Sequence, residues 1–316
     1  DEDKNKLPDS ISIYEYLSTN SEKESESKNK IAVVNVEGTI VTGEAAYNVA
    51  GSDTIVKNIR NAIKDDSVKA LVLRVNSPGG DVWASELITN ALNEFKSSGR
   101  PIVSSMGDIA ASGGVWVTTH SDEIWAKNET ITGSIGVYGI IPTLDGIYEW
   151  AGVQVDGVSS TKAGEWDERY AMPEYVKDGI QASIDNTYDK FVSKVADNRE
   201  MPYKEVLAIA GGRIWSGEKA LQLGLVDKIG DLEDAIDSAA LFADIDNYEV
   251  VSYSKQMDPF EAFLLELINN LDVKFEFNKN TKKVLSILNT GYKFVDENKE
   301  INIVSYCFEC EYFETK

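Results

Sequence analysis

Two cysteines and one histidine in 316 residues are the first features of this sequence, and both shortages remove classes of chemistry. Cys307 and Cys310 form a single C-x-x-C near the C-terminus; the count excludes a disulfide framework, and two sulfur ligands do not make a zinc site alone. The pair reads as a structural disulfide, with a metal half-site or an inert pair as the other readings. No metal site and no cofactor is expected. Basic residues are also scarce. Lys and Arg number 31 against 53 Asp and Glu, a formal net charge of −22, and such a surface repels nucleic acid and anionic head groups. Apolar runs of the about 18 residues needed to cross a bilayer are missing, as is a signal peptide at the start. The polar first thirty residues read as the opening of a processed or excised piece.

What is present is a globular α/β pattern. A hydrophobic content of 42% with mixed charge argues against disorder, and the length suffices for one large α/β domain or two small ones. Residues 1–30 are expected to be an entry arm, with an apolar patch at 11–17 and a flexible Ser/Glu/Lys linker at 18–30. Strands are expected at 31–36, 70–75, 101–106 and 123–126, and helices at 53–64, 82–96 and 112–119. This alternation indicates βαβ units and a mainly parallel sheet. Beyond residue 139, a strand is expected at 153–158, a polar loop at 159–170 and a long helix at 173–198 with proline in its first turn. Helices at 203–210, 217–223 and 232–242 and a strand at 248–253 complete a domain spanning 31–254. Residues 255–316 are expected to be a helical extension and tail, with an amphipathic helix at 260–271 that packs on the core or a neighbouring subunit, contact with a membrane being the other reading.

Two glycine-rich loops follow the second and third strands: Asn76-Ser77-Pro78-Gly79-Gly80, and Met106 to Gly114 with its Ala111-Ser112-Gly113-Gly114 turn. In a parallel sheet both lie at the carboxyl ends of adjacent strands, where sites are usually built. Glycine permits sharp turns and lets backbone N–H groups face a ligand. One N–H from each loop would make an oxyanion hole, and Ser112 at a helix N-terminus would sit where developing negative charge is favoured. A serine before a helix most often only caps it, and glycine-rich strand-to-helix turns often bind phosphate. Neither loop is followed by a Walker lysine, however, and no G-x-G-x-x-G is present. The pairing of S-P-G-G with A-S-G-G, each after a strand, makes Ser112 the candidate nucleophile.

The candidate nucleophile needs a base. His120 follows Ser112 by eight residues, which along a helix is roughly 12 Å, beyond hydrogen-bond reach. Lysine can replace histidine when it is neutral, so its pKa must fall from about 10.4 toward 7, roughly 4–5 kcal/mol imposed by desolvation. Lys162, in Ser159-Ser160-Thr161-Lys162-Ala163-Gly164, has small uncharged neighbours and suits this, although Glu165 and Asp167 follow closely.

These motifs, with Thr132-Gly133-Ser134-Ile135-Gly136-Val137 and Gly224-Leu225-Val226-Asp227 before Gly230, resemble the signal peptide peptidase A family over roughly residues 31–240. The resemblance implies the Clp-protease/crotonase-like fold, a spiral of βαβ units. It implies a serine endopeptidase that degrades hydrophobic peptides such as residual signal peptides, at the extracytoplasmic (periplasmic) face of the cell membrane. It further implies a ring- or dome-shaped homo-oligomer, with Ser112 as nucleophile and the N–H groups of Gly113 and of Gly79 or Gly80 as the oxyanion hole. Short members carry serine and lysine in one domain, and Lys162 occupies that lysine's slot. Long members contain two tandem copies, the lysine on the first and the serine on the second. The opening Ile11-Ser12-Ile13-Tyr14-Glu15-Tyr16 and the terminal C-x-x-C resemble the second copy of a long member. Two placements of the base therefore stay open: Lys162, or a lysine on an N-terminal half, with membrane association through a segment outside this chain. Two other readings are a structural half that completes a ring without its own dyad, and a crotonase-type acyl-CoA enzyme, which shares the fold but works with carboxylates.

Overall fold

The computed structural model describes residues 27–44, 49–253 and 304–306. In chain order the first half contains β1 (Lys30–Glu37), β2 (Thr39–Val41), β3 (Val49–Gly51), α1 (Ser52–Lys64), β4 (Val68–Ser77), β5 (Gly79–Asp81), α2 (Val82–Lys96), β6 (Ile102–Ala111) and α3 (Gly113–Thr118). The second half contains β7 (Glu123–Ala126), β8 (Ile131–Gly133), α4 (Asp145–Trp150), α5 (Glu174–Asn198), α6 (Tyr203–Ile209), β9 (Ile214–Ser216), α7 (Gly217–Gln222), β10 (Lys228–Ile229), α8 (Leu232–Phe242) and β11 (Glu249–Tyr253). A last strand, β12 (Val304–Tyr306), stands apart in sequence.

The main sheet has the order β10-β7-β6-β4-β1-β11, with β8 continuing from β6 and β9 from β8. Its pairs are parallel except β8 with β9. The central strands read as unbroken apolar runs because both faces are covered. Ala32, Val34 and Val36 of β1 and Leu71, Leu73 and Val75 of β4 pack under α1 and α2 with Ile59, Ile88, Leu92 and Phe95. The alternate residues Ile31, Val33, Ala70 and Val72 face the other way, against Ala235, Ala239 and Ala240 of α8. That two-fold alternation follows from the pleat. Burying each large aliphatic side chain contributes about 1.5–3 kcal/mol, so these two layers hold the sheet rigid beneath the loops at its carboxyl end. A small second sheet, β12-β5-β2-β3, lies beside those loops.

The expected strands and helices of the α/β domain are present, most within one or two residues of the expected ends. Two expectations are corrected. The third strand does not stop at Met106 but runs to Ala111, directly before Ser112. Residues 153–158 are not a strand: their alternating valines fit the pattern, but no sheet edge receives them, and Val158 is wholly exposed. Residues 1–26 of the expected arm at 1–30, the helix at 260–271 and the cysteine pair lie outside the described residues, and Lys30 at the arm's end already opens β1.

Glycine and aspartate in Gly224-Leu225-Val226-Asp227 have a structural task. Leu225 and Val226 are buried, and the Asp227 carboxylate accepts from the Ile124 N–H at 2.8 Å and from Arg199 at 2.8 Å. One side chain thus ties the entry of β7 to the end of α5.

Candidate active site

β4 and β6 are neighbours, so the two glycine-rich loops meet, as their placement after adjacent strands requires. Contact is close. A Cβ at Gly79 would stand 2.7 Å from the Gly113 nitrogen and 2.9 Å from Ser112 Cβ, and one at Gly113 would stand 3.1 Å from the Gly80 nitrogen. With φ of +102° at Gly79 as well, only glycine fits there. The structure therefore brings Gly79, Gly80, Ser112 and Gly113 together. The Gly79 N–H donates to Ser77 Oγ at 3.1 Å, and Gly80 is a strand residue with Ile40 beside it on β2.

Ser112 connects β6 to α3 with φ 54° and ψ −115°. A non-glycine residue in that region costs of the order of 1–3 kcal/mol and persists only where the surroundings over-determine it. Here they do. The Ser112 N–H donates to Gly133 O at 2.9 Å, and its carbonyl accepts from Val115 at 2.9 Å and Trp116 at 3.0 Å. The common role of a serine before a helix is absent, because its side chain makes no capping hydrogen bond to α3. Ser112 is 1% exposed.

Other residues aim this turn. Between β4 and β6 the register jumps, Val75 facing Met106 and Ser77 facing Ala110, so one residue opposes three. The gap is filled by Asn76, whose Oδ1 accepts from the Asp108 N–H at 3.1 Å and the Ile109 N–H at 3.2 Å. Gly107 is needed beneath it, since a Cβ there would stand 2.8 Å from Asn76 Oδ1. On the other side Thr130 Oγ1 donates to Gly107 O at 2.6 Å and Thr132 Oγ1 to Ala110 O at 2.8 Å. The Thr132-Gly133 motif is thus a brace for the serine turn. Sequence reasoning singled out the motif without this role, and it missed Asn76 and Thr130 as supports; an asparagine inside an apolar strand was the available signal.

Behind the turn, Trp116 of α3 stacks on Phe191 of α5 at 4.7 Å between ring centroids, and its Nε1 donates to Glu86 at 2.9 Å. Lys194 pairs with Glu86 at 3.1 Å. Asp81, at the far end of β5, caps α2 by accepting from the Ala84 N–H at 2.7 Å; burial pushes its carboxyl up. His120 lies past the C-terminal end of α3, the end away from Ser112, as the helical spacing requires. Burial, then Lys194 and Lys96, hold its imidazole below the ordinary value.

Lys162 opens a short 3-10 helix, Lys162–Glu165, in which Thr161 accepts from the Gly164 N–H at 3.2 Å. Its side chain lies outside the described part of the structure. Among the described residues no group of three or more His, Cys, Asp or Glu is arranged to hold a metal, and no helix is long and apolar enough to cross a membrane.

Residues 94–246, a span holding Ser112, Gly113 and Lys162, match peptidase family S49. A putative signal peptide peptidase SppA of Enterococcus faecium is 34% identical over 248 residues, covering 76% of this chain and 71% of that protein. The chain belongs to peptidase family S49. Its α/β spiral with a mainly parallel sheet is the Clp-protease/crotonase-like fold of that family. Two proteins named Protease 4 are also similar. That of Haemophilus influenzae is 44% identical over 211 residues, covering 67% of this chain, and that of Salmonella typhi is 39% identical over 246 residues, covering 78%. The S49 chain described here spans 34% and 39% of the length of these two relatives.

Proposed function

We propose that this S49 chain carries the nucleophile of a serine endopeptidase, and that the nucleophile is Ser112. The observation that carries the reading is the Ser112 backbone, held at φ 54° on a buried strand-to-helix turn without capping the helix. Strain of this kind points a side chain out of its turn, as in a nucleophile elbow. Ser112 Oγ attacks a peptide carbonyl and passes its proton to a neutral lysine amine. The N–H groups of Gly113 and of Gly79 or Gly80 hold the resulting oxyanion. The C–N bond breaks, the leaving nitrogen takes the proton from lysine, and water then hydrolyses the acyl-serine ester.

Lys162 is the base proposed within the chain. Its neighbours Ala163 and Gly164 are small, and it belongs to a segment rich in exposed apolar side chains: Ile140 is 72%, Ile147 60% and Trp150 88% exposed. We assign this face to a second copy of the chain, which would supply the desolvation a neutral lysine requires. The substrates proposed are extended hydrophobic peptides, including residual signal peptides, met at the extracytoplasmic face of a membrane. A second reading, in which a tandem half supplies the lysine, is supported by the 34% and 39% coverage of the Protease 4 relatives.

Labelling by a fluorophosphonate and hydrolysis of an apolar peptide test these assignments. Ser112→Ala is expected to abolish both, and full activity in that variant would end the peptidase reading. Lys162→Ala is expected to lower kcat at least about 10²-fold at neutral pH. Unchanged kcat there would move the base to another chain.

A further inference from the structure

The apolar run Ala70-Leu71-Val72-Leu73-Arg74-Val75-Asn76 in β4 is broken by one cation and one amide. Arg74 and Asn76 stand two residues apart, so they share the face of β4 that Ala70 and Val72 turn toward α8. The Arg74 guanidinium is half-buried, and among the described residues it makes no salt bridge; Asp108, Asp231 and Glu37 act on it only through their field. Its hydrogen bonds go to β6 instead. One nitrogen, Nη1, donates to Met106 O at 3.1 Å and to Ser105 Oγ at 2.8 Å. Met106 is where regular pairing ends: Val75 faces Met106, and the next pair is Ser77 with Ala110. We propose that Arg74 is a positioning residue for Ser112, fixing the point at which β6 leaves register and so the stretch of chain, Gly107 to Ala111, that delivers the serine to the glycine amides. The proposal rests on the peptidase reading of Ser112 for its effect on rate, though not for the anchoring of the bulge.

The chemistry of the two side chains is complementary. Arg74 donates to the carbonyl at which the bulge begins, and Asn76 accepts from the Asp108 and Ile109 N–H groups within it. A donor and an acceptor on one face of β4 thus stand in for the main-chain ladder over Gly107 to Ile109, while Thr130 takes Gly107 O from the other side. An apolar residue at 74 could pack as Ala70 and Val72 do, but it would leave Met106 O without this donor. A carbonyl that loses its donor is driven to find another. Any move of β6 toward a main-chain partner changes the length of the bulge. Because the pleat has period two, even one residue of slip turns the segment's side chains to the opposite face.

Arg74→Met, which keeps the length of the side chain and removes its donors, tests the proposal in the full chain. Hydrogen exchange at the Asp108 and Ile109 amides is expected to quicken at least about tenfold, while Leu71 to Leu73 stay as protected as before. Unchanged exchange there would overturn the anchoring, whatever the activity. Fluorophosphonate labelling of Ser112, read as a rate on the folded protein, is expected to slow about 10–100-fold. For an apolar peptide kcat should fall alike with KM unchanged. A merely structural role would lower Tm and leave these rates at the parent's values, and that result would overturn the positioning. Both bonds leave a single nitrogen, so a lysine ammonium can supply them, and Arg74→Lys is expected to label within about threefold of the parent. Arg74→Lys as slow as Arg74→Met would overturn the assignment to the donor. Ser105→Ala removes the other acceptor and is expected to label at the parent rate; a loss equal to that of Arg74→Met would take the effect away from Met106. Should Arg74→Met not fold, Arg74→Ala with added methylguanidinium decides: faster labelling supports the proposal, and no gain overturns it. A parent that never labels, while exchange at Asp108 and Ile109 responds as expected, would keep the anchoring and discard the peptidase reading.

Discussion

Asn76 replaces backbone with side chain. Where β4 and β6 lose register, its carboxamide oxygen takes the two N–H groups that a strand carbonyl would otherwise have accepted. Asn76→Ala leaves both without that acceptor, and the segment that ends at Ser112 loses its support. A shift near 1 Å in a nucleophile costs about 10²-fold. Fluorophosphonate labelling of Ser112 is therefore expected to slow about 10–100-fold in Asn76→Ala and to recover largely in Asn76→Asp, which keeps an acceptor oxygen. Equal loss in both variants would make the residue's role one of general folding. At this scale the sequence exposed Ser112 and the glycines, because their types are demanded by local backbone. It did not expose Asn76, Thr130 or Thr132 as supports, because their partners lie 22 to 33 residues away and only the sheet order brings them near.

The elements that flank the site answer to different forces. α3 has six residues, too few to be stable alone, and is held by what it touches: Phe191 against Trp116, Glu86 on the indole N–H, and Lys194 beside both. His120 follows α3 in the same surroundings, facing Lys194, Lys96 and Glu86. Because burial depresses its pKa from 6.5, the unfolded chain binds this proton more readily than the folded one. Its contribution to stability is therefore complete above about pH 6.5 and declines as pH falls from there toward the lowered folded value, flattening below it. His120→Gln should remove that part of the acid destabilisation, read as a smaller drop in Tm between pH 7 and pH 5. An identical drop would show that the imidazole is not responsible. Long elements were legible because apolar runs marked strands buried on both faces and helical spacing marked α1, α2, α5 and α8. The two- and three-residue strands β2, β3, β5, β8, β9, β10 and β12 carry no such period; they exist because a neighbouring edge receives them. Residues 153–158 are the converse case, a strand pattern with no edge to join.

Across the whole molecule, a net charge of −22 opposes association while the Ile140–Trp150 region invites it. If that region is the contact between copies, Trp150→Glu should shift sedimentation toward the monomer and lower kcat, and raising salt should strengthen association in the parent by screening the repulsion. A parent that sediments as a monomer at all concentrations, or a variant that associates equally well, would remove the oligomer from the proposal.

The parallel pairing of β11 with β1 makes the first and last strands of the described domain run in the same direction. β1 begins at Lys30, level with Glu249, and β11 ends at Tyr253, level with Val34. The chain therefore enters β1 at the floor of the sheet, away from the glycine loops. β11 points toward the rim that carries them, displaced sideways from β6 by three strand spacings, β11 to β1 to β4 to β6, or about 14 Å. The sheet is thus entered from the end away from the candidate site, while its last strand points toward it.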